Sequence, residues 1–226
     1  MTQRYAATEF RSGVFLSQAD GTYRFAPLPR LAQIAPLPGA VAGDFDGDGF
    51  ADIYAVQNSA APSPTMGRFD GGLSQLLRGD GQGHFIAVPP VESGLIVTGE
   101  AKAVAVVDLD GDGWPDFLIT RNNASAITYR NQGVAGRHSL RIGLRGSAGN
   151  PLAIGAHVTV EMSDGTTQSA DVSAGVSSPA SAAGCFFGFS DATPPRQVRV
   201  RWPDGFSSSH DVTPKATVLI LTIPAN

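Results

Sequence analysis

The stretch Asp108-Leu109-Asp110-Gly111-Asp112-Gly113-Trp114-Pro115-Asp116 decides how this chain folds, because it has a near-copy at Asp44-Phe45-Asp46-Gly47-Asp48-Gly49-Phe50-Ala51-Asp52. Both copies read D-x-D-G-D-G-x-x-D, with carboxylates at loop positions 1, 3, 5 and 9. Four like charges within nine residues repel one another unless a cation lies among them. Carboxylate and carbonyl oxygens are the ligands that Ca²⁺ prefers, so the sequence predicts two calcium sites.

The spacing also predicts which groups bind each ion. We expect side-chain oxygens from positions 1, 3, 5 and 9 and the backbone carbonyl of position 7, because Gly at position 6 permits the sharp turn that brings this carbonyl inward. The predicted ligands are Asp44, Asp46, Asp48, Phe50 and Asp52 in the first site, and Asp108, Asp110, Asp112, Trp114 and Asp116 in the second.

These loops differ from the best-known calcium loop. Position 12 is Ala55 or Ile119 instead of Glu, and the flanking segments are β-rich, so neither loop is an EF-hand. The alternative is a pair of Asp-Gly turns that only cap strands through side-chain hydrogen bonds. Since no histidine falls near either loop, a structural ion is favoured over a catalytic one.

Composition places the chain among all-β globular proteins. Its 226 residues are 42% hydrophobic and 16% charged, with 27 Gly and 16 Pro. Helix-forming runs are nearly absent, and many short β-branched runs are punctuated by Gly, Asn and Asp. The two loops hold eight of the 20 acidic residues, which leaves 12 acidic against 16 basic residues elsewhere. This balance argues against a basic nucleic-acid surface.

Other features of the sequence limit where the protein works. Cys185 is the only cysteine and lies among apolar residues, so we expect a buried thiol and no disulfide. No stretch approaches 18 apolar residues, which excludes insertion into a membrane as a helix. No signal peptide is visible at the N-terminus, and we expect the chain to be a fragment of a longer secreted protein.

The N-terminal part predicts propeller blades. Hairpins are expected at 12–27, across Asp20-Gly21, and at 73–88, across Gly79-Asp80-Gly81. Strands are expected on both sides of each acidic loop, and residues 57–72 are expected to be irregular. The order of hairpin, link, strand, acidic loop and strand repeats, which is typical of blades. We place one blade near 39–88, a partial blade near 102–131 and half a blade near 12–27.

The repeat ends at Gly136, and the sequence pattern after it is different. About seven short strands with turn signals are expected within 138–223, which predicts a β-sandwich. The predicted fold class is therefore all-β, with a partial β-propeller of about two blades over 1–131 and a C-terminal β-sandwich over 137–226. Two blades cannot close a ring and would leave open strand edges. Further blades in a longer protein are the favoured explanation, and self-association through these edges is the second.

Two groups of residues resemble known families. The stretches Gly43–Gly49 and Val107–Gly113 resemble FG-GAP/VCBS repeats, the blades of integrin-α-like propellers. Ile154–Val160, Phe187-Gly188-Phe189 and Val198–Gly205 resemble the ASPIC/UnbV domain. The resemblance implies an extracellular, calcium-stabilised propeller with an appended β-sandwich, used for adhesion or binding and without catalytic residues.

Three functions follow as hypotheses. The first is a non-enzymatic calcium-binding module with two Ca²⁺ sites, which binds a protein or carbohydrate ligand at a cell surface or in the matrix. The second is a C-terminal fragment of a secreted polysaccharide-active enzyme whose catalytic part lies outside this chain. The third is a stabilising cap with no ligand of its own. The absence of a G-x-S-x-G motif and the scattered histidines favour binding over catalysis.

Overall fold

The computed structural model of the chain describes residues 6–63, 65, 67–174, 184–213 and 215–223. The strands of the N-terminal part are β1 (Gly13–Ser17), β2 (Tyr23–Pro27), β3 (Gly39–Gly43), β4 (Asp52–Val56), β5 (Ser59–Ser63), β6 (Gly67–Phe69), β7 (Gln75–Gly79), β8 (Phe85–Val88), β9 (Ala101–Val107), β10 (Asp116–Arg121) and β11 (Ala124–Tyr129). Two short helices accompany them, a 3-10 turn (Arg30–Gln33) and α1 (Pro90–Ser93).

The strands of the C-terminal part are β12 (Arg137–Arg145), β13 (His157–Met162), β14 (Thr167–Asp171), β15 (Cys185–Ser190), β16 (Pro195–Arg201), β17 (Ser207–Asp211) and β18 (Val218–Thr222). The chain is therefore all-β, as the sequence predicts. Within the described residues no helix is long and apolar enough to cross a membrane.

Two antiparallel sheets carry the acidic loops. The first blade sheet has the order β3-β4-β7-β8, and its acidic loop joins β3 to β4. The second blade sheet has the order β11-β10-β9, and its acidic loop joins β9 to β10. Each loop thus connects two neighbouring strands that pair antiparallel, which holds both ends of the loop close together.

The inner strand β4 of the first blade sheet is buried on both faces. Side chains of a strand alternate between the faces, so Tyr54 and Val56 point one way and Ile53 and Ala55 the other. Tyr54 and Val56 belong to a buried cluster that includes Phe117 of the second blade sheet. Ile53 and Ala55 belong to a different buried cluster, with Leu28, Ala32 and Leu77. This explains why all five residues of β4 are buried.

The C-terminal strands form a β-sandwich. One sheet has the order β15-β12-β18 and the other β14-β13-β16-β17. Apolar side chains from both sheets share one core, in which Trp202 is the largest fully buried side chain. The indole nitrogen of Trp202 donates a hydrogen bond to Ser208 Oγ at 2.9 Å, which satisfies its polar atom.

Phe186 belongs to the blade cluster, although its strand lies in the sandwich. It is 7% exposed and packs with the residues of both blade sheets, whereas its neighbours Cys185 and Phe187 point into the sandwich core. The sheet β15-β12-β18 is consequently a middle layer that is covered on both faces along β15. Burial raises the pKa of the Cys185 thiol to about 12, in keeping with the packing role predicted for it.

The structure corrects the sequence-based description at two places. Residues 57–72 are not simply irregular, because β5 and β6 form a small hairpin there, and Asn58 joins its ends through hydrogen bonds with the backbone of Gly72. Met66, in the same stretch, lies outside the described residues. Strand β17 was not predicted, since Ser207–Asp211 contains no apolar residue; it pairs with β16 at the edge of its sheet. The division of the chain into two domains stays a prediction.

Candidate metal centre

The first acidic loop brings three carboxylates together. Oxygen atoms of Asp44, Asp46 and Asp48 lie within 4.8 Å of one another, close enough to hold a metal ion between them. Asp44 is buried, and Asp46 and Asp48 are half-buried. The backbone amides of Gly47 and Gly49 each donate to Asp44, at 2.7 Å, and fix its orientation.

The second acidic loop gathers a different set of three. Oxygen atoms of Asp108, Asp110 and Asp116 lie within 4.8 Å of one another. The backbone amide of Gly111 donates to Asp108 Oδ1 at 2.8 Å, the same contact that Gly47 makes with Asp44 in the first loop. Asp112 lies outside this set, although it accepts the amide of Trp114 at 2.8 Å just as Asp48 accepts that of Phe50 at 2.9 Å. The two loops are therefore built alike, and each could hold a metal ion.

The aspartate at position 9 joins each loop to its sheet. Asp52 accepts the amide of Phe45 at 3.1 Å and that of Gly79, on β7, at 3.0 Å. Asp116 accepts the equivalent amide of Leu109 at 2.8 Å and that of Asn131 at 2.7 Å. Both oxygens of each carboxylate thus bind backbone amides, and only Asp116 also lies in its metal-binding cluster.

Only some of the ten predicted ligand residues therefore belong to the two carboxylate clusters. Six carboxylates fall into the two clusters, whereas Asp52 and Asp112 lie outside them. The side chain of Phe50 is 48% exposed and lies next to Gly81, whereas the ring of Trp114 lies next to Gly47 and Gly133. The role of their carbonyls as ligands stays a prediction.

Burial raises the pKa of several loop carboxylates. Desolvation raises the pKa of Asp44 to about 6 and that of Asp52 to about 7, although backbone amides oppose both shifts. The pKa values of Asp48 and Asp116 are also raised, chiefly by burial. A nearby cation favours the ionised form of a desolvated carboxylate that lies next to other carboxylates. The donor atoms are all oxygen, which fits a hard cation rather than zinc or copper.

Arginine side chains surround the clusters, and sequence reasoning did not find them. Arg78 Nε lies 3.0 Å from Asp46 Oδ2, and Arg137 Nη1 lies 2.7 Å from Asp46 Oδ1. In the second loop, Arg130 pairs with Asp110 at 3.0 Å and Arg141 with Asp108 at 3.4 Å. Arg137 and Arg141 are four residues apart on one strand and therefore point to the same face, where their positive charge complements the acidic loops. This spacing was the available signal in the sequence.

The tripeptide Arg78-Gly79-Asp80 makes contacts within the chain. Arg78 pairs with Asp46 and with Glu92, and the amide of Gly79 binds Asp52. A methyl group on Gly79 would overlap the carbonyl oxygen of Ala51, so glycine is required there. Asp80 closes its own turn through the amides of Gln82 and His84. The tripeptide therefore has structural partners at each position.

A cleft opens beside the first acidic loop. Its volume is about 490 Å³, and it lies between the loop and the turn that joins β13 to β14. The lining combines the exposed ring of Phe50 with polar groups, which include Asp48, Arg137, Thr166, Gln168 and Thr193. Phe189 also lines the cleft, but it is buried, so Phe50 is the exposed aromatic ring of this lining. A concave surface with an exposed aromatic ring and several convergent polar groups is typical of ligand sites.

The matches to known families follow the same order along the chain as the blade sheets and the sandwich. Residues 65–119 match the FG-GAP-like repeat and residues 102–137 match the FG-GAP repeat. Residues 146–225 match the ASPIC and UnbV family. The repeat matches include the second acidic loop, and the third match covers the sandwich from the end of β12 onward.

Comparison with individual proteins adds little. No curated protein matches the chain. Among solved structures, the major pilin subunit BcpA of Bacillus cereus is similar over 95% of this chain and 78% of that chain, with 9% identity and a TM-score of 0.22. A similarity at this level carries no argument about function.

Proposed function

Because the chain combines FG-GAP repeats with a following ASPIC and UnbV domain, we propose that it is a calcium-binding module of a secreted or cell-surface protein, used for adhesion or binding. The observation that carries this proposal is the pair of equivalent loops, each with three carboxylates within 4.8 Å. Ca²⁺ accepts six to eight oxygen ligands in flexible geometry, which suits loops that supply carboxylates and backbone carbonyls. Bound calcium would neutralise the buried charge and hold neighbouring strands together.

Calorimetric titration tests the calcium sites directly. We expect the chain to bind two Ca²⁺ ions, with dissociation constants of about 10⁻⁴–10⁻³ M, the range of extracellular modules. Asp46→Asn and Asp110→Asn each remove one carboxylate from one cluster, so each variant should bind a single ion. Asp204→Asn, in an Asp-Gly turn of the sandwich, is the control and should bind two. The absence of calcium binding by the unaltered chain would refute the proposal.

The cleft beside Phe50 supports a ligand of carbohydrate type. A sugar ring packs its C–H face on an aromatic side chain and offers hydroxyl groups to polar side chains. Phe50 is exposed at the edge of the first loop, and hydroxyl and amide groups of Thr166, Gln168 and Thr193 line the same cleft. We therefore propose a carbohydrate ligand at a cell surface or in the matrix, and a binding role without catalysis.

A glycan array with calcium present tests this ligand class. We expect binding to at least one glycan, lost by Phe50→Ala because the stacking surface is removed. Phe206→Ala is a matched control, since Phe206 is 46% exposed against 48% for Phe50 and lies in a turn of the sandwich. If the unaltered chain bound no glycan, the carbohydrate proposal would be abandoned. Equal loss in both variants would show that the cleft is not the binding site.

A further inference from the structure

The strand pair β12–β15 turns one face to the acidic loops. Residues directly opposite each other in antiparallel strands point to the same face. Ser139 is opposite Gly188, and Arg141 is opposite Phe186. This face therefore carries Arg137, Ser139 and Arg141 from β12 and Phe186, Gly188 and Ser190 from β15. The other face carries Leu140, Ile142, Cys185 and Phe187, which belong to the sandwich core.

The first acidic loop rests on this face at Gly188. A methyl group on Gly188 would overlap the carboxylate of Asp44 and would lie 2.6 Å from Gly47 Cα. Gln168, on β14, donates to the carbonyl oxygen of Gly188 at 2.7 Å and fixes the backbone there. Because Asp44 is buried in its cluster, the backbone of β15 forms a wall of that cluster.

Arg137 adds an ionic contact at the same place. Its guanidinium lies 2.7 Å from Asp46 Oδ1 and donates to the backbone carbonyl of Asp46 at 3.2 Å. Asn131, in the segment between β11 and β12, donates to the carbonyl oxygen of Phe45 at 2.8 Å. The start of β12 and the segment before it are thus attached to the side chain and the backbone of the first loop.

Ser139 lies between these contacts with an unsatisfied hydroxyl. It is 2% exposed, and its Oγ has no hydrogen-bond partner among the described residues. Its position opposite Gly188 directs it toward the surface that meets Asp44. A buried hydroxyl without a protein partner is suited to a hydrogen bond with a bound water. A water bound to an ion in the first cluster would satisfy this hydroxyl.

We propose that the first cluster is a joint site, in which binding of the ion and docking of the sandwich on the first blade sheet are coupled. This inference rests on the proposed calcium binding. The ion holds Asp44, Asp46 and Asp48 together against their mutual repulsion. Only in this compact conformation does the Asp44 carboxylate fit between the amides of its own loop and Gly188. Coupling is reciprocal, so a change in the sandwich wall must alter the affinity for calcium.

Variants of the full chain measure this coupling. In the Asp110→Asn background, which leaves the first site, Gly188→Ala is expected to weaken calcium binding by about 5- to 150-fold. In the Asp46→Asn background, which leaves the second site, the same change should leave the affinity unaltered. Gly143→Ala is the control, because a methyl group on Gly143 of β12 would only approach Ile220 Cγ1, at 3.7 Å. Unaltered affinity of the first site in Gly188→Ala would overturn the proposal.

Hydrogen exchange on the unaltered chain provides a second measurement that needs no variant. Calcium is expected to slow exchange within 44–52 and 108–116 and also at β15 and the first half of β12, while β16 and β17 exchange as before. Protection confined to 44–52 and 108–116 would overturn the coupling and leave the calcium sites standing. Exchange that calcium does not change anywhere would overturn both the calcium proposal and the coupling.

Discussion

Addition of EDTA to the calcium-loaded chain is expected to lower its melting temperature by about 10–20 °C. At about 10 mM Ca²⁺ and a dissociation constant of about 10⁻⁴ M, each site stabilises the fold by about 2.7 kcal/mol. Two sites contribute about 5 kcal/mol together. One kcal/mol changes the melting temperature of a chain of this size by about 2–4 °C.

The order of unfolding follows from where the charges lie. Without the ions, the clusters of three carboxylates repel across 4.8 Å or less, and the strands joined by the loops separate first. The sandwich keeps its own core around Trp202, so we expect exchange to rise in β3, β4, β9 and β10 before it rises in β13 and β16.

Differential scanning calorimetry measures this shift. EDTA saturated with calcium beforehand is the control for effects of the chelator itself. The double variant Asp46→Asn with Asp110→Asn should melt near the temperature of the EDTA-treated chain and should not respond to EDTA. A melting temperature that EDTA leaves unchanged would contradict a stabilising role for the ions.

The sequence predicts the parts of the fold that are specified locally. The turn at Asp20-Gly21 brings Ser17 opposite Tyr23, as expected for a hairpin between two β-rich runs. The acidic loops could be aligned by their spacing alone, and the structure places each between adjacent antiparallel strands. Signals of this kind depend on a few consecutive residues and do not need the rest of the chain.

The sequence does not reveal contacts between distant segments. Asp52 and Asp116 occupy the same loop position, yet only Asp116 lies in a cluster of three carboxylates. Asp52 binds the amide of Gly79, which reaches it only because β7 pairs with β4. Spacing within a nine-residue loop carries no information about such a partner.

The same limit applies to the layer between the blades and the sandwich. The run Cys185-Phe186-Phe187-Gly188-Phe189 reads as one apolar strand, and alternation alone does not say which core each face meets. The glycine in this strand is explained by the approach of Asp44, a residue more than a hundred positions earlier in the chain.

Phe186→Ala and Phe187→Ala are expected to destabilise two different parts of the molecule by similar amounts. Both side chains are buried, at 7% and 2% exposure, and removal of a buried phenylalanine costs about 3–5 kcal/mol. The melting temperature of each variant should therefore fall by about 6–20 °C. Ile220→Ala is the control, because Ile220 is 54% exposed on the same sheet and its loss should cost less than about 0.5 kcal/mol.

Hydrogen exchange distinguishes the two variants where calorimetry does not. Phe186 packs with Tyr54, Val104 and other residues of both blade sheets, so its loss should raise exchange in β4, β9 and β10. Phe187 packs with the sandwich core, so its loss should raise exchange in β13 and β16. If both variants raised exchange in the same strands, the blades and the sandwich would unfold as one cooperative unit. Separate responses would show that β15 joins two cores that remain distinct, with one face of a single strand in each.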